Sequence, residues 1–139
     1  MSKFTVHRQE SGRCTIKHEL AEAEILTDLP PEFGGNGRSF SSTDLVSAAL
    51  GSCTMTAIDA IVERAGHDPS KLTIKVSKSL SQAPKMISRI QLEIGHPDTF
   101  DEALLKKLNK AALSCPVRRS LNPEIIIDTV INTGADFSA

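Results

Sequence analysis

Three cysteines are the residues of this chain best suited to chemistry, and two of them stand in distinctive surroundings. Cys53 lies in TDLVSAALGSCTMTAID (43–59), where no side chain between Asp44 and Asp59 is charged; Cys115 lies much later, in LSCPVRRSL. The third, Cys14, belongs to an alternating segment that predicts a strand. Three cysteines are too few for a secreted disulfide scaffold, and their number is odd. We therefore expect these thiols to be inert core residues, metal ligands or redox groups.

Composition excludes several classes of partner. The net charge is −1, from 16 basic and 17 acidic residues, and there is no Trp or Tyr with which to stack bases. We therefore expect no nucleic-acid or anionic-lipid partner. The segment MSKFTVHRQE lacks the apolar stretch of a signal peptide, and no uninterrupted run reaches the length of a transmembrane helix. These patterns predict a cytoplasmic protein without a membrane partner.

The sequence contains no clear motif for a metal site, a cofactor site or a serine nucleophile. A zinc site built from Cys53, Cys115, His67 and His96 would lack the closely paired ligands typical of such sites. The segment GGNG is weak evidence for phosphate binding, and no GxSxG elbow is present. We therefore expect neither metal nor cofactor, and on the residues alone the cysteines remain either buried structural thiols or redox groups.

Periodicity predicts the order βββ-α-ββ-αα-β, an α+β fold with about six strands in one domain spanning residues 1–139. A Pro- and Gly-rich loop, DLPPEFGGNGRSF, separates the first three strands from a long helix that begins at Ser41 or Ser42 and ends near Ala65. The second helix is expected from Thr99, with Glu102 closing a capping box. A short helix then begins at Pro116.

The first long helix is unusual because its sequence is apolar around its whole circumference. Such a helix must be enclosed on all sides, and a domain of this size cannot easily wrap it alone. We therefore expect a second copy of the chain to supply part of the cover, as a two-fold homodimer.

The segment GGNGRSFSSTDLVSAALGSCTMTAID, followed by LSCPVRRSL, resembles the family of osmotically inducible protein C and organic hydroperoxide resistance proteins (OsmC/Ohr), in its OsmC-like branch. The likeness runs through the whole chain, since the element order matches as well. It implies an intertwined homodimer with two long central helices. It also implies a thiol peroxidase that acts on organic hydroperoxides.

The resemblance assigns roles to both motif cysteines. Cys53 would be the peroxidatic residue, whose thiolate attacks the O–O bond and becomes a sulfenic acid. Cys115 would be the resolving residue, which condenses with that acid to a disulfide. A thiol or dithiol, a lipoyl group in some members, would then reduce the pair.

The same resemblance implies that an arginine and an acid activate Cys53, since apolar burial alone disfavours a thiolate. Arg38 is the only arginine of the loop, and it lies nearer the cysteine in sequence than its family counterpart. Asp44, nine residues before Cys53, resembles the Glu of one branch, although nine residues of helix place it on the opposite face. Arg118 and Arg119 are the alternative cations.

Two readings from other classes remain open beside the peroxidase. In one, a non-enzymatic dimer of the same fold binds a small apolar ligand in its interface cleft. In the other, the protein is a structural stress protein with inert thiols.

Overall fold

The computed structural model describes residues 1–134, and its six strands and three α-helices confirm the expected α+β fold and element order. The strands are β1 (Phe4–Glu10), β2 (Arg13–His18), β3 (Glu24–Asp28), β4 (Thr73–Gln82), β5 (Lys85–His96) and β6 (Ile126–Thr133). The α-helices are α1 (Ser42–Arg64), α2 (Glu102–Ser114) and α3 (Pro116–Ser120). Short 3-10 turns cover Pro31–Phe33 and Pro69–Lys71.

The chain divides into two compact units, Met1–Val46 and a second that begins at Ser47, where the sequence predicts one domain. The first unit holds an antiparallel sheet in the order β1-β2-β3. Its register aligns Val6, Ile16 and Ile25 in one row across the three strands. Residues that are directly opposite in a sheet share a face, so this row is apolar, and Val6 and Ile25 are 60% and 48% exposed.

The loop between β3 and α1 depends on a glycine for its path. A Cβ on Gly35 would lie 1.9 Å from the carbonyl oxygen of Leu29, a distance that no side chain tolerates. The backbone of this loop therefore folds back on itself at a place only glycine permits. The expected irregular loop is interrupted by the 3-10 turn at Pro31–Phe33.

In the second unit β4 and β5 are antiparallel, whereas β5 and β6 are parallel. Two clusters form its core. One contains Ile58, Val62, Ile94, Leu104 and Leu108 among others; the second contains Leu50, Ile87, Ile90, Leu92 and Cys115. Both helices α1 and α2 therefore contribute side chains to the apolar interior, which accounts for their amphipathic or wholly apolar sequences.

Helix α1 agrees closely with the expected bounds and ends with Gly66 in the left-handed region, at φ +87°. Its buried residues share one side: Ser47, Leu50, Gly51, Thr54, Ile58 and Val62. A Cβ on Gly51 would meet Val76 Cγ2 at 2.7 Å, so this glycine allows close packing of α1 on β4. Val46, Ala49, Ser52 and Thr56 remain exposed, so one chain covers the helix on one side only.

By length and composition alone, α1 could cross a membrane, which the sequence pattern had not indicated. A helix from a protein core meets the same criterion, and this one contributes to both apolar clusters. The helix is thus accounted for by packing within the fold.

The start of α2 differs from the expected one. The helix begins at Glu102, and its N-cap is Asp101, whose Oδ1 accepts a 2.7 Å hydrogen bond from the Leu104 amide. The capping box expected from Thr99 to Glu102 is therefore wrong, because a carboxylate two residues later makes the cap. The buried stripe of α2 contains Leu104, Leu108 and Ala112, whereas Leu113 is 59% exposed.

Candidate active site

The second unit brings Cys53 and Cys115 together. Cys115 is buried in the second core cluster, and Cys53, half-buried on α1, packs against the same cluster. The two side chains are close enough for Cys53 to raise the pKa of the Cys115 thiol. Two cysteines far apart in sequence thus become neighbours in an aliphatic environment, while Cys14 lies in β2 of the first unit.

Cys115 owes its position to the junction between two helices. It follows the last residue of α2 and is the N-cap of α3, where Pro116 occupies the first helical position. This geometry directs the backbone amides of Val117 and Arg118 at the Cys115 sulfur. The sequence CPV therefore combines a thiol, a residue that starts a helix and two oriented N–H groups.

Burial is the main electrostatic influence on Cys115, and it raises the pKa of this thiol above the ordinary 9.0. The Cys53 side chain raises it further, and the two amides oppose the shift. The buried Cys115 thiol therefore favours its protonated form.

Arg118 fixes α3 against the neighbouring strand. Its guanidinium donates hydrogen bonds to the Ile127 carbonyl oxygen at 3.2 Å and to Thr129 Oγ1 at 3.4 Å, both on β6. These acceptors are neutral, so the charge of Arg118 is not matched by a carboxylate within residues 1–134. Arg119, by contrast, is exposed.

Arg38 lies in the first unit, within a network of acids that sequence reasoning did not identify. The Asp28 carboxylate is buried, and its Oδ2 accepts hydrogen bonds from the Arg38 amide and Nε, both at 3.1 Å. A second guanidinium nitrogen, Nη2, donates to Glu10. The Arg38 amide is the largest cause that lowers the pKa of Asp28. Nothing in the sequence marks Glu10, because a strand residue this distant gives no periodic signal.

Asp44 forms a reciprocal cap at the start of α1. Its Oδ2 accepts from the Ser41 amide at 2.8 Å and from Ser41 Oγ at 2.7 Å. Ser41 Oγ in turn accepts from the Asp44 amide at 3.1 Å. This is the geometry of a capping box with Asp in the place of Glu, so Asp44 has a structural role at the helix start.

Comparisons with known proteins give a family. The family model described as "OsmC-like protein" matches residues 34–130. A solved structure from Psychrobacter arcticus, provisionally described as an osmotic stress induced and detoxification response protein, has a TM-score of 0.89 at 30% identity, with 95% of this chain and 96% of that chain covered. No curated protein sequence matches significantly.

More distant structures share the fold. An organic hydroperoxide resistance protein OsmC from Legionella pneumophila has a TM-score of 0.72 at 15% identity, covering 97% of both chains. The organic hydroperoxide resistance protein OhrB of Bacillus subtilis has a TM-score of 0.67 at 14% identity, covering 95% of this chain and 98% of that one. With a family model that spans most of its length and a fold common to all three structures, this chain belongs to the OsmC-like protein family.

Proposed function

We propose that this protein is a thiol peroxidase that reduces organic hydroperoxides, with Cys53 as the peroxidatic and Cys115 as the resolving cysteine. The observation that carries the proposal is the contact between the two thiols inside one apolar cluster. The hydroperoxide resistance proteins with this fold support the same chemistry.

The reaction proceeds in two displacements. The Cys53 thiolate attacks one oxygen of ROOH, the O–O bond breaks, and the alkoxide leaves as ROH after it takes up a proton. Cys53 is then a sulfenic acid, oxidised by two electrons. The Cys115 thiol then attacks the Cys53 sulfur, its proton passes to the departing hydroxide, water leaves, and a disulfide joins the pair. An external thiol or dithiol, such as a lipoyl group, returns both sulfurs to thiols by exchange.

Aliphatic side chains around the thiols favour an organic peroxide over a strongly hydrated one. Cys53 and Cys115 share their cluster with Leu50, Ile90 and Leu92 among others. An alkyl or aryl group on the peroxide would displace water from such surroundings, and this apolar contact favours binding. Hydrogen peroxide offers no apolar surface for this contact.

Arg38 is the proposed activator of Cys53, and Asp44 its supporting acid. The Arg38 Nη1 makes no hydrogen bond within residues 1–134, whereas Nε and Nη2 are held by Asp28 and Glu10. A guanidinium fixed in this way can donate from Nη1 to a thiolate or a peroxide oxygen. Asp44 would act through the cap that sets the start of α1.

The working protein is proposed to be a cytoplasmic homodimer. Two apolar surfaces support the dimer: the row of Val6, Ile16 and Ile25 on the first sheet, and the exposed side of α1 that includes Val46. Each would be covered by a second copy of the chain. Light scattering at micromolar concentration should give twice the chain mass, and a stable monomer would contradict this part of the proposal.

One experiment tests the peroxidase directly. The reduced protein is treated with one equivalent of cumene hydroperoxide, and thiols are counted and peptides mapped by mass spectrometry. We expect an intrachain Cys53–Cys115 disulfide with Cys14 still reduced. Unreacted Cys53 and Cys115 would overturn the proposal and favour the ligand-binding dimer, as would oxidation confined to Cys14.

A further inference from the structure

A cavity in the second unit lies between the end of α1 and the length of α2. It has a volume of about 720 Å³ and is lined by ten residues: two from α1, Ala65 just after it, the N-cap Asp101 and six from α2. Pockets for small molecules typically measure about 300–1,000 Å³, so this cleft is large enough for an organic ligand. It contains neither of the two motif cysteines among its lining residues.

Apolar and small side chains form part of the cleft wall. Ile61 comes from α1 and Ala65 from the turn just after it, and Leu104, Ala103 and Ala111 come from α2. Ile61 and Ala111 also pack against the first core cluster, which contains Leu104. The wall is therefore continuous with the core and offers a hydrocarbon chain a surface that excludes water.

Three cations share this cleft: Arg64 near the end of α1, and Lys107 and Lys110 on α2. None of the three forms an ion pair with an acid in the described part of the chain. Lys107 and Lys110 stand three residues apart on one helix, where like charges repel. The cleft's one acid, Asp101, already caps α2 through its Oδ1.

Lys106, on the same helix, shows the contrasting arrangement. Its Nζ lies 2.8 Å from Glu102 Oε1, an ion pair one turn apart on the exposed surface, and it does not line the cleft. All three lysines are exposed; the one outside the cleft is paired with an acid, and the two that line the cleft form no ion pair within the described residues. An anionic ligand would balance the positive charges of Lys107, Lys110 and Arg64.

We propose that this cleft binds an amphipathic carboxylate, with its head between Arg64, Lys107 and Lys110 and its hydrocarbon chain along the apolar wall. Carboxylates form charge-assisted hydrogen bonds with Lys and fork-like pairs with Arg, and a chain supplies the apolar contact. The site is separate from the thiol chemistry and stands whether or not the protein reduces peroxides.

The test uses a fluorescent fatty acid, 11-(dansylamino)undecanoic acid, titrated below its micelle concentration into the purified wild-type protein. We expect saturable fluorescence enhancement with one site per chain and weaker binding at high salt. Dodecanoate should displace the probe, whereas dodecanol, which lacks the charge, should not. Cys53→Ser should bind as the wild type does, which separates this site from the thiols.

Two kinds of variant locate the binding site. Lys107→Gln with Lys110→Gln should raise the Kd by at least about tenfold, which corresponds to about 1.4 kcal/mol. Lys106→Gln is the matched control on the same helix and should change the Kd by less than about twofold, since its charge is already paired. Ala103→Trp, at an exposed position of the wall, should fill the cleft and abolish binding while circular dichroism confirms the fold.

Three results would overturn the proposal. The first is non-saturable binding of the probe. The second is an equal loss in Lys106→Gln and in the double variant, which would indicate only a general attraction to a basic surface. The third is unchanged binding in a folded Ala103→Trp protein, which would place the probe elsewhere.

Discussion

In the first unit a buried carboxylate, Asp28, is held by an arginine; in the second, two thiols are held by aliphatic side chains and by each other. Burial raises the pKa of an acid at both sites, yet the net shifts are opposite. The pKa of Asp28 is lowered, first by the amide of Arg38, so this group stays charged. The pKa of Cys115 is raised, first by burial, so that group stays neutral. Hydrogen-bond donors therefore determine the pKa shift of Asp28, and desolvation determines that of Cys115.

The two arginines of these regions differ in the same respect. Arg38 contacts two carboxylates, so its charge is more than offset locally, whereas Arg118 contacts only neutral oxygens. An arginine matched by two acids activates a thiolate through directed hydrogen bonds more than through net charge. An arginine on neutral acceptors can instead hold a helix in place and keep its full charge.

The largest effects are expected at the thiols themselves. Cys53→Ser should lower peroxide reduction by at least roughly 1,000-fold, about 4 kcal/mol of barrier, because serine is a far weaker nucleophile at neutral pH. Cys115→Ser should consume one equivalent of peroxide and then stop as a Cys53 sulfenic acid, which dimedone traps. A steady-state peroxide assay and mass spectrometry measure both effects.

Cys14→Ser is the matched control for those variants, since Cys14 lies in the first unit. It should retain wild-type turnover and disulfide formation. If Cys115→Ser turns over as fast as the wild type, then Cys115 is not the resolving residue, despite its contact with Cys53.

The order of elements was the part most accessible to prediction. Apolar alternation and helix-start signals located every strand and helix, including β1 and α3, which bury no residue. The contact between Cys53 and Cys115 came from the family resemblance, since no local pattern joins residues so far apart. The acids around Arg38 were missed because Glu10 and Asp28 meet it only through strand pairing and the fold of the loop.

Helix caps show the limit of local patterns. Glu102 suited a capping box on spacing alone, yet Asp101 makes the cap, since several polar residues compete for the same amides. At α1 the sequence left Ser41 and Ser42 open as the cap, and Ser41 is the one whose Oγ accepts a hydrogen bond from the Asp44 amide. The role of Asp44 as a catalytic residue stays a prediction.

Arg38→Met should produce the next largest effect. Loss of the Nη1 donors should slow peroxide reduction at pH 7 by at least about tenfold, about 1.4 kcal/mol of barrier. It should also slow the alkylation of Cys53 by iodoacetamide at pH 7. Stopped-flow kinetics and iodoacetamide labelling measure the two effects.

Glu10→Gln separates charge from hydrogen bonding in that network. It removes one of the two carboxylates on Arg38 while the amide still accepts a hydrogen bond. If net charge limits activation, Glu10→Gln should be faster than the wild type; if directed donation by Nη1 matters, the rate should change by less than about twofold. If Arg38→Met reacts at the wild-type rate, Arg38 does not activate Cys53, and Arg118 becomes the next candidate.

Arg118→Met should have a smaller and more selective effect. Loss of the two hydrogen bonds to β6 loosens α3 and the amides that face Cys115, at a cost of about 1 kcal/mol. The sulfenic acid on Cys53 should therefore persist about fivefold longer, while the first reaction with peroxide is unchanged. Arg119→Met, an exposed neighbour, is the control; equal effects of both would show that only the charge of α3 matters.

The smallest expected effects concern the pH dependence of stability, and they distinguish the two regions by sign. Asp28 has a lowered pKa, so its contribution is present above its ordinary value of 3.8 and is lost as the pH falls below it. Cys115 has a raised pKa, so its contribution is present below the ordinary 9.0 and is lost as the pH rises above it. The melting temperature of the wild type should fall at acid and at alkaline pH. Asp28→Asn should reduce only the fall at acid pH (the acid limb), and Cys115→Ala only the fall at alkaline pH (the alkaline limb). Asp68 and Asp98, whose pKa values are also lowered, would keep part of the acid limb in Asp28→Asn. An alkaline limb that survives in Cys115→Ala but disappears in Cys14→Ser would show that the buried thiol of the second unit is not the group that titrates.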